Sequence, residues 1–165
     1  KSKEITLLPQ KSTPQLSPLP WNLEWNLEAI TPMCALARQR NMVVGWENVF
    51  WCQLTVPERV LEAKAALPQV RFTLDIKQAM RAGRNPIDYV YAMGSQLCNV
   101  HVCDWREDGT LCLPGEGAFD FRALMAALRD VGYAGPVIME PYLALIESDK
   151  ALLRSIAFMR NIMKE

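Results

Sequence analysis

Histidine is almost missing from this sequence: His101 is the only one. A surplus of charge is missing too, since 18 Lys and Arg face 18 Asp and Glu, scattered rather than in blocks. That balance speaks against a nucleic-acid surface. None of the five cysteines (Cys34, Cys52, Cys98, Cys103 and Cys112) forms a C-x-x-C pair. Their odd number and apolar surroundings exclude a disulfide framework and a zinc knuckle, and point to a reducing, cytoplasmic setting. No apolar run approaches the roughly 18 residues of a membrane span, and no signal-peptide pattern is present. No membrane partner is expected. The chain starts at Lys1 without a methionine, as a trimmed or partial product would.

What is present is a globular balance, with half of the 165 residues hydrophobic and 22% charged. That is enough for one domain with a real core. Residues 1–21 form a lead-in with Pro9, Pro14, Pro18 and Pro20, in which Ile5–Leu8 is the one run able to make a short strand. Residues 22–165 form the domain. Leu23, Leu27, Ile30, Cys34 and Ala37 recur at helical spacing, predicting a helix that ends near Arg40, with Pro32 as a kink and Asn41 as its cap.

Short apolar runs then alternate with amphipathic segments. Met42–Val44 closes on Gly45–Trp46–Glu47, Phe72–Leu74 stops at Asp75, Leu97–Val102 contains His101, and Val137–Met139 stops at Glu140. Between them, helices are expected over 56–67, over 86–94 with Asn85 as N-cap, and after Asp120; a last one covers 151–164. The stretch from 103 to 119 reads as a polar loop. This alternation is the signature of βα units on a parallel sheet, either open and doubly wound or closed into a barrel. Only four clear units are visible, whereas a full barrel takes eight in about 250 residues.

In parallel α/β folds the chemistry gathers at the C-terminal ends of the strands. A single carboxylate there only marks where the chain surfaces, and a lone histidine near the end of an apolar run reads first as a core or boundary side chain hydrogen-bonded to backbone. All four runs, however, end at or beside a metal-capable residue: Glu47, Asp75, His101 and Glu140. Their separations of 28, 26 and 39 residues each match one βα unit. Three oxygen donors and one nitrogen suit a hard or borderline divalent ion, Mn²⁺, Mg²⁺ or Co²⁺.

Several segments resemble the xylose isomerase-like TIM barrels, which include sugar phosphate isomerases and epimerases. They are Leu74–Asp75–Ile76–Lys77–Gln78–Ala79, Val100–His101–Val102–Cys103–Asp104, Leu113–Pro114–Gly115–Glu116–Gly117, and Gly132 through Glu140. The resemblance implies an α/β fold of parallel (β/α) units, a partial TIM barrel of about strands 5–8 plus the preceding helix. It also implies metal ligands Glu47, Asp75, His101 and Glu140, with Glu47 and Glu140 as the catalytic acid/base pair. The reaction it implies is isomerisation or epimerisation of a sugar, sugar phosphate or related hydroxy-carbonyl compound by proton transfer through an enediolate. Gln78, in the place of a substrate-contacting histidine of the family, Arg106 and Trp46 are the candidate substrate-binding residues, with Trp51 and Trp105 as further pocket walls.

Two alternatives share this fold. An endonuclease IV-type DNA repair nuclease needs a trinuclear zinc centre with several histidines, which one histidine and zero net charge do not supply. A degenerate barrel fragment serving as a binding or structural module would keep the fold without the chemistry. Half a barrel also leaves strand edges unpaired, so either a missing N-terminal half-barrel or a homo-oligomer is expected to complete it.

Overall fold

A computed structural model describes residues 20–164. The lead-in and its expected strand at Ile5–Leu8 lie outside the described residues, Pro20 and Trp21 excepted. Helix α1 (Leu23–Gln39) begins where Asn22 accepts the Trp25 N–H, and Pro32 sits inside it without ending it. The cap at its far end is Arg40, and Asn41 follows with φ 55°. That left-handed position is one an asparagine tolerates better than most residues.

Four strands, β1 (Gly45–Glu47), β2 (Arg71–Asp75), β3 (Leu97–Val102) and β6 (Val137–Met139), form one parallel sheet in the order β1-β2-β3-β6. The order in space is the order in sequence, as in successive units of a barrel wall. Helix α2 (Pro57–Ala66) connects β1 to β2, while α3 (Ile76–Arg81) and α4 (Pro86–Met93) connect β2 to β3. Helix α5 (Phe121–Asp130) leads into β6, and α6 (Asp149–Ile162) follows it. Along the sheet α2 packs on α4, α4 on α5 and α5 on α6.

One face of the sheet makes the core with these helices. Phe72, Leu74, Val100 and Val102 are at most 1% exposed, and each such burial contributes about 1.5–3 kcal/mol. Strand alternation turns the residues between them to the opposite face. The register aligns Glu47 with Thr73, Thr73 with Asn99, Asp75 with His101 and His101 with Ile138. That second face is polar, buried at Thr73 and Asp75 and open at Ile138, which is 44% exposed.

Three expectations change besides the Asn41 cap, which Arg40 replaces. The first strand is Gly45–Glu47, and Met42 and Val43 are exposed ahead of it. Pairing starts only where the Arg71 N–H reaches the Val44 carbonyl, because β2 begins there. Helix α3 starts directly at Asp75, which caps it by accepting the Gln78 N–H at 3.1 Å. The expected polar loop contains an antiparallel pair, β4 (Asp104–Trp105) with β5 (Leu111–Cys112). All five cysteines are free thiols. Among the described residues no helix is long and apolar enough to cross a membrane.

Candidate metal centre

The four strand ends converge. One donor atom each from Glu47, Asp75, His101 and Glu140 lies within 4.8 Å of all the others. His101 Nδ1 is 3.5 Å from Glu140 Oε2 and 3.9 Å from Glu47 Oε1. Asp75 is the most buried of the four, with a side chain 2% exposed against 47% for Glu140. Its backbone is clamped by Asn48, which donates its amide to the Asp75 carbonyl at 3.0 Å and accepts the Asp75 N–H at 2.8 Å. The residue after the first glutamate thus ties the end of β1 to the end of β2.

Three polar atoms in this cluster lack hydrogen bonds. Asp75 Oδ2, Asn99 Oδ1 and His101 Nδ1 are buried and make no hydrogen bond, a state native interiors rarely tolerate. Asn99 Nδ2 lies 2.9 Å from His101 Nε2. Turning the Asn99 amide over, a change of oxygen for nitrogen that leaves its shape intact, lets Nε2–H donate to Oδ1. The tautomer that results carries its lone pair on Nδ1, facing the carboxylates, and this is the form a metal-binding imidazole needs. The rotation fixes the imidazole tautomer but carries Nδ2 into the place of the orphaned Oδ1. It leaves Asp75 Oδ2 and His101 Nδ1 without a hydrogen bond, Asp75 Oδ2 lying 3.4 Å from the Lys77 ammonium. Oxygen and nitrogen ligands of one divalent ion, bound at about 2.0–2.2 Å, stand at most a little over 4 Å apart. The four donors, spread up to 4.8 Å, draw in by about half an ångström or more to hold such an ion.

The electrostatics match a cluster of like charges. Burial, followed by the charges of Asp75 and Glu140, pushes the Glu47 carboxyl up. Burial likewise pushes Asp75 up, against the pull of Lys77 and the Gln78 N–H. Burial acts in the same direction on Glu140, but the hydrogen bond and charge of Lys77 outweigh it and hold that carboxyl below its ordinary value.

The sequence reading overlooked three of these residues, Asn48, Lys77 and Asn99. Lys77 is the least expected: its ammonium is 3.2 Å from Glu140 Oε2 and 3.4 Å from Asp75 Oδ2, with a side chain 6% exposed. A lysine two residues after Asp75, between the apolar Ile76 and the Ala79–Met80 pair, was its only signal.

The candidate substrate residues are placed apart. Gln78 lies on α3 one turn beyond Asp75, and its side-chain oxygen accepts the Phe50 N–H at 3.4 Å. Arg106 sits at the tip of the β4–β5 pair, 3.8 Å from Glu116. Trp46 points to the helix side of β1, away from Glu47, with its ring 6.2 Å from that of Trp21. The structure does not bring Trp46 to the cluster. Trp105 is buried against Phe119, and Trp51 is exposed.

Asp104 closes this end of the molecule. Its carboxylate accepts four backbone N–H groups, from Trp105, Gly115, Gly117 and Phe119, at 2.8–3.1 Å. The loop winds around it so closely that a Cβ on Gly117 would overlap both Asp104 Oδ1 and the Trp105 carbonyl. That position requires glycine.

Known proteins share the architecture. A 3-keto-D-glucoside 4-epimerase, YcjR, from E. coli superposes with a TM-score of 0.70 at 21% identity, over 86% of this chain and 56% of the other. A D-psicose 3-epimerase solved in the presence of D-fructose gives 0.72 at 19%, over 87% and 57%. An IOLI protein with a bound zinc atom gives 0.71 at 18%, over 91% and 60%. By sequence, an uncharacterized protein, ML2432, of Mycobacterium leprae is 30% identical over 97 residues, which is 54% of this chain and 34% of that protein. The chain therefore spans a little over half the length of these solved relatives and about a third of the curated one. The sequence profile of one family runs from residue 3 to residue 162, through all four strand ends and the loop around Asp104. By that match the chain belongs to the xylose isomerase-like TIM barrel family.

Proposed function

We propose that this chain carries the metal-binding half of an isomerase or epimerase acting on a sugar, a sugar phosphate or a related hydroxy-carbonyl compound. The observation behind the proposal is the convergence of Glu47, Asp75, His101 and Glu140, with Asp75 Oδ2 and His101 Nδ1 buried and making no hydrogen bond. The solved relatives named as sugar epimerases support the substrate class. The zinc-bound relative supports a divalent ion in this fold, for which Mn²⁺, Mg²⁺ and Co²⁺ suit the donors here.

Depth divides the roles. Asp75 and His101 lie at the bottom and hold the ion, while Glu47 and Glu140 are a third to a half exposed and can touch a substrate. When bound, the ion supplies positive charge beside two substrate oxygens that become more negative as a neighbouring carbon loses its proton. Glu47, a third exposed beside the cluster, takes that proton. Glu140, on the opposite edge strand, returns one. Gln78 and Arg106 are assigned to the sugar hydroxyls, which a neutral amide and a guanidinium can hydrogen-bond. The remaining walls of the pocket belong to the other half of a barrel, supplied by further chain or by a second copy. The free thiols suit a cytoplasmic setting.

A second reading, a barrel fragment kept as a binding module, draws on Gln78, whose side chain is engaged by the Phe50 backbone. One set of measurements separates the two. Mn²⁺ titration by calorimetry is expected to show one site, lost in Asp75→Asn. Solvent deuterium should then enter D-fructose or D-allulose at the carbon beside the carbonyl only when Mn²⁺ is present and Glu47 and Glu140 are intact. Metal binding that survives Asp75→Asn sinks the metal assignment. Metal binding without exchange in any sugar tried on the completed barrel leaves the module reading.

A further inference from the structure

Three carboxylates within one cluster repel one another, and in water-poor surroundings that repulsion is costly. Lys77 meets it. Its ammonium donates to Glu140 Oε2 at 3.2 Å, the same oxygen that lies 3.5 Å from His101 Nδ1. It also lies 3.4 Å from Asp75 Oδ2, the oxygen that no hydrogen bond satisfies. A third side of the ammonium faces the Tyr142 ring, 4.9 Å from its centroid. Position is imposed rather than chosen: Asp75 caps α3, so Lys77 leaves the first turn of that helix directly over the carboxylates. A buried ammonium survives only with paired charge around it, and here the pairing groups are two of the four donors of the candidate centre.

We propose that Lys77 is a built-in counter-cation of the cluster: it holds Asp75 and Glu140 together in the metal-free protein and weakens the hold of the site on a divalent ion. The inference rests on reading the four donors as a metal site. Three carboxylates against one ammonium leave two negative charges unbalanced, which is the charge of one divalent ion. Removing the ammonium leaves three, so the ion is drawn in more strongly while the empty cluster becomes less stable. Both cations compete for the same two oxygens, and occupancy by one raises the cost of the other by mass action and by like-charge repulsion.

The test uses Mn²⁺ as the probe and compares the wild type with Lys77→Met, Lys77→Gln and Lys77→Arg. Calorimetry is expected to show Mn²⁺ binding roughly tenfold tighter or more in Lys77→Met. Lys77→Gln, which loses the charge and keeps a polar, hydrogen-bonding side chain, should do the same and serves where the Met variant does not fold. Lys77→Arg, which keeps the charge, should bind like the wild type. The order of melting temperatures should also reverse: the neutral variants melt below the wild type in EDTA and at or above it in saturating Mn²⁺. Wild-type binding with equal or weaker binding in both neutral variants overturns the role of Lys77 and leaves the metal site intact. Binding in neither overturns both. Binding in the neutral variants alone upholds Lys77 as the resident cation and overturns metal dependence in the wild type.

Discussion

Two aspartates stand only a few residues from successive strand ends, Asp75 at the end of β2 and Asp104 just past β3, and both are about 1% exposed. They differ in what fills their oxygens. Asp104 accepts four backbone N–H groups and organises the Gly115–Phe119 loop around itself. Asp75 accepts one N–H on Oδ1, while Oδ2 faces Glu140 and Lys77 without a hydrogen bond. Burial is thus no guide to role. A carboxylate whose acceptor sites are filled by its own backbone is spent on structure, whereas one left with an open oxygen among other acids is available to a cation.

Exchanging each residue should expose that difference. Asp104→Ala strands four N–H groups in a dry loop and is expected to cost about 3–5 kcal/mol, read as a large fall in urea midpoint. Asp75→Asn is nearly the same shape and removes one of three repelling charges. Metal-free stability should then move by only about 1 kcal/mol in either direction. Equal losses at both positions would erase the distinction.

Asn99 offers a smaller effect. Asn99→Ala removes the acceptor for His101 Nε2–H and frees the imidazole tautomer. A loss of about 10–100-fold in Mn²⁺ affinity is expected, with little change in metal-free melting. An unchanged affinity would mean that His101 is oriented by something other than Asn99.

The smallest effect is a pH dependence in EDTA. Glu47 and Asp75 have folded pKa values raised above their ordinary 4.5 and 3.8. Between the ordinary and the raised values the folded protein binds more protons than the unfolded one, so their contribution to stability falls as pH rises through that window. Glu140, lowered from 4.5, acts the other way: its contribution is present above the ordinary value and is lost as pH falls through the folded one. The melting temperature of Asp75→Asn should therefore fall less than that of the wild type as pH rises above about 4. Parallel curves would show that Asp75 does not feel its acidic neighbours.

The strands and their terminal residues were legible because each buried run is apolar, is bounded by turn residues and surfaces at a polar group. Strand β3 and helix α5 appear at the expected positions, with Asp120 accepting the Ala123 N–H as the cap. Helix α3 was not legible: six residues are too few to show a period, and its cap had already been read as a strand end. The β4–β5 pair was hidden by two-residue strands in polar sequence. Lys77, Asn48 and Asn99 escaped for other reasons. Asn48 meets Asp75, 27 residues away, and Lys77 meets Glu140, 63 residues away, partners of which local composition carries no trace. Asn99 is two residues from His101 and was missed as an ordinary strand residue. Trp46 shows the converse error, since proximity in sequence to Glu47 suggested a shared pocket that alternation along the strand forbids.

The sheet order has a consequence for the choice of residue types. Glu47 and Glu140 rise from the two outermost strands of four, three strand spacings apart, or about 14 Å at roughly 4.8 Å each. Their tips nevertheless meet the same partners as Asp75 and His101, which rise from the two middle strands. The long arms stand at the rim and the shorter ones near the centre, like fingers of different length closing on one point. Trimming either arm by a single methylene, Glu47→Asp or Glu140→Asp, would keep the charge and lose the grasp, and the reach of a side chain here counts for as much as its acidity.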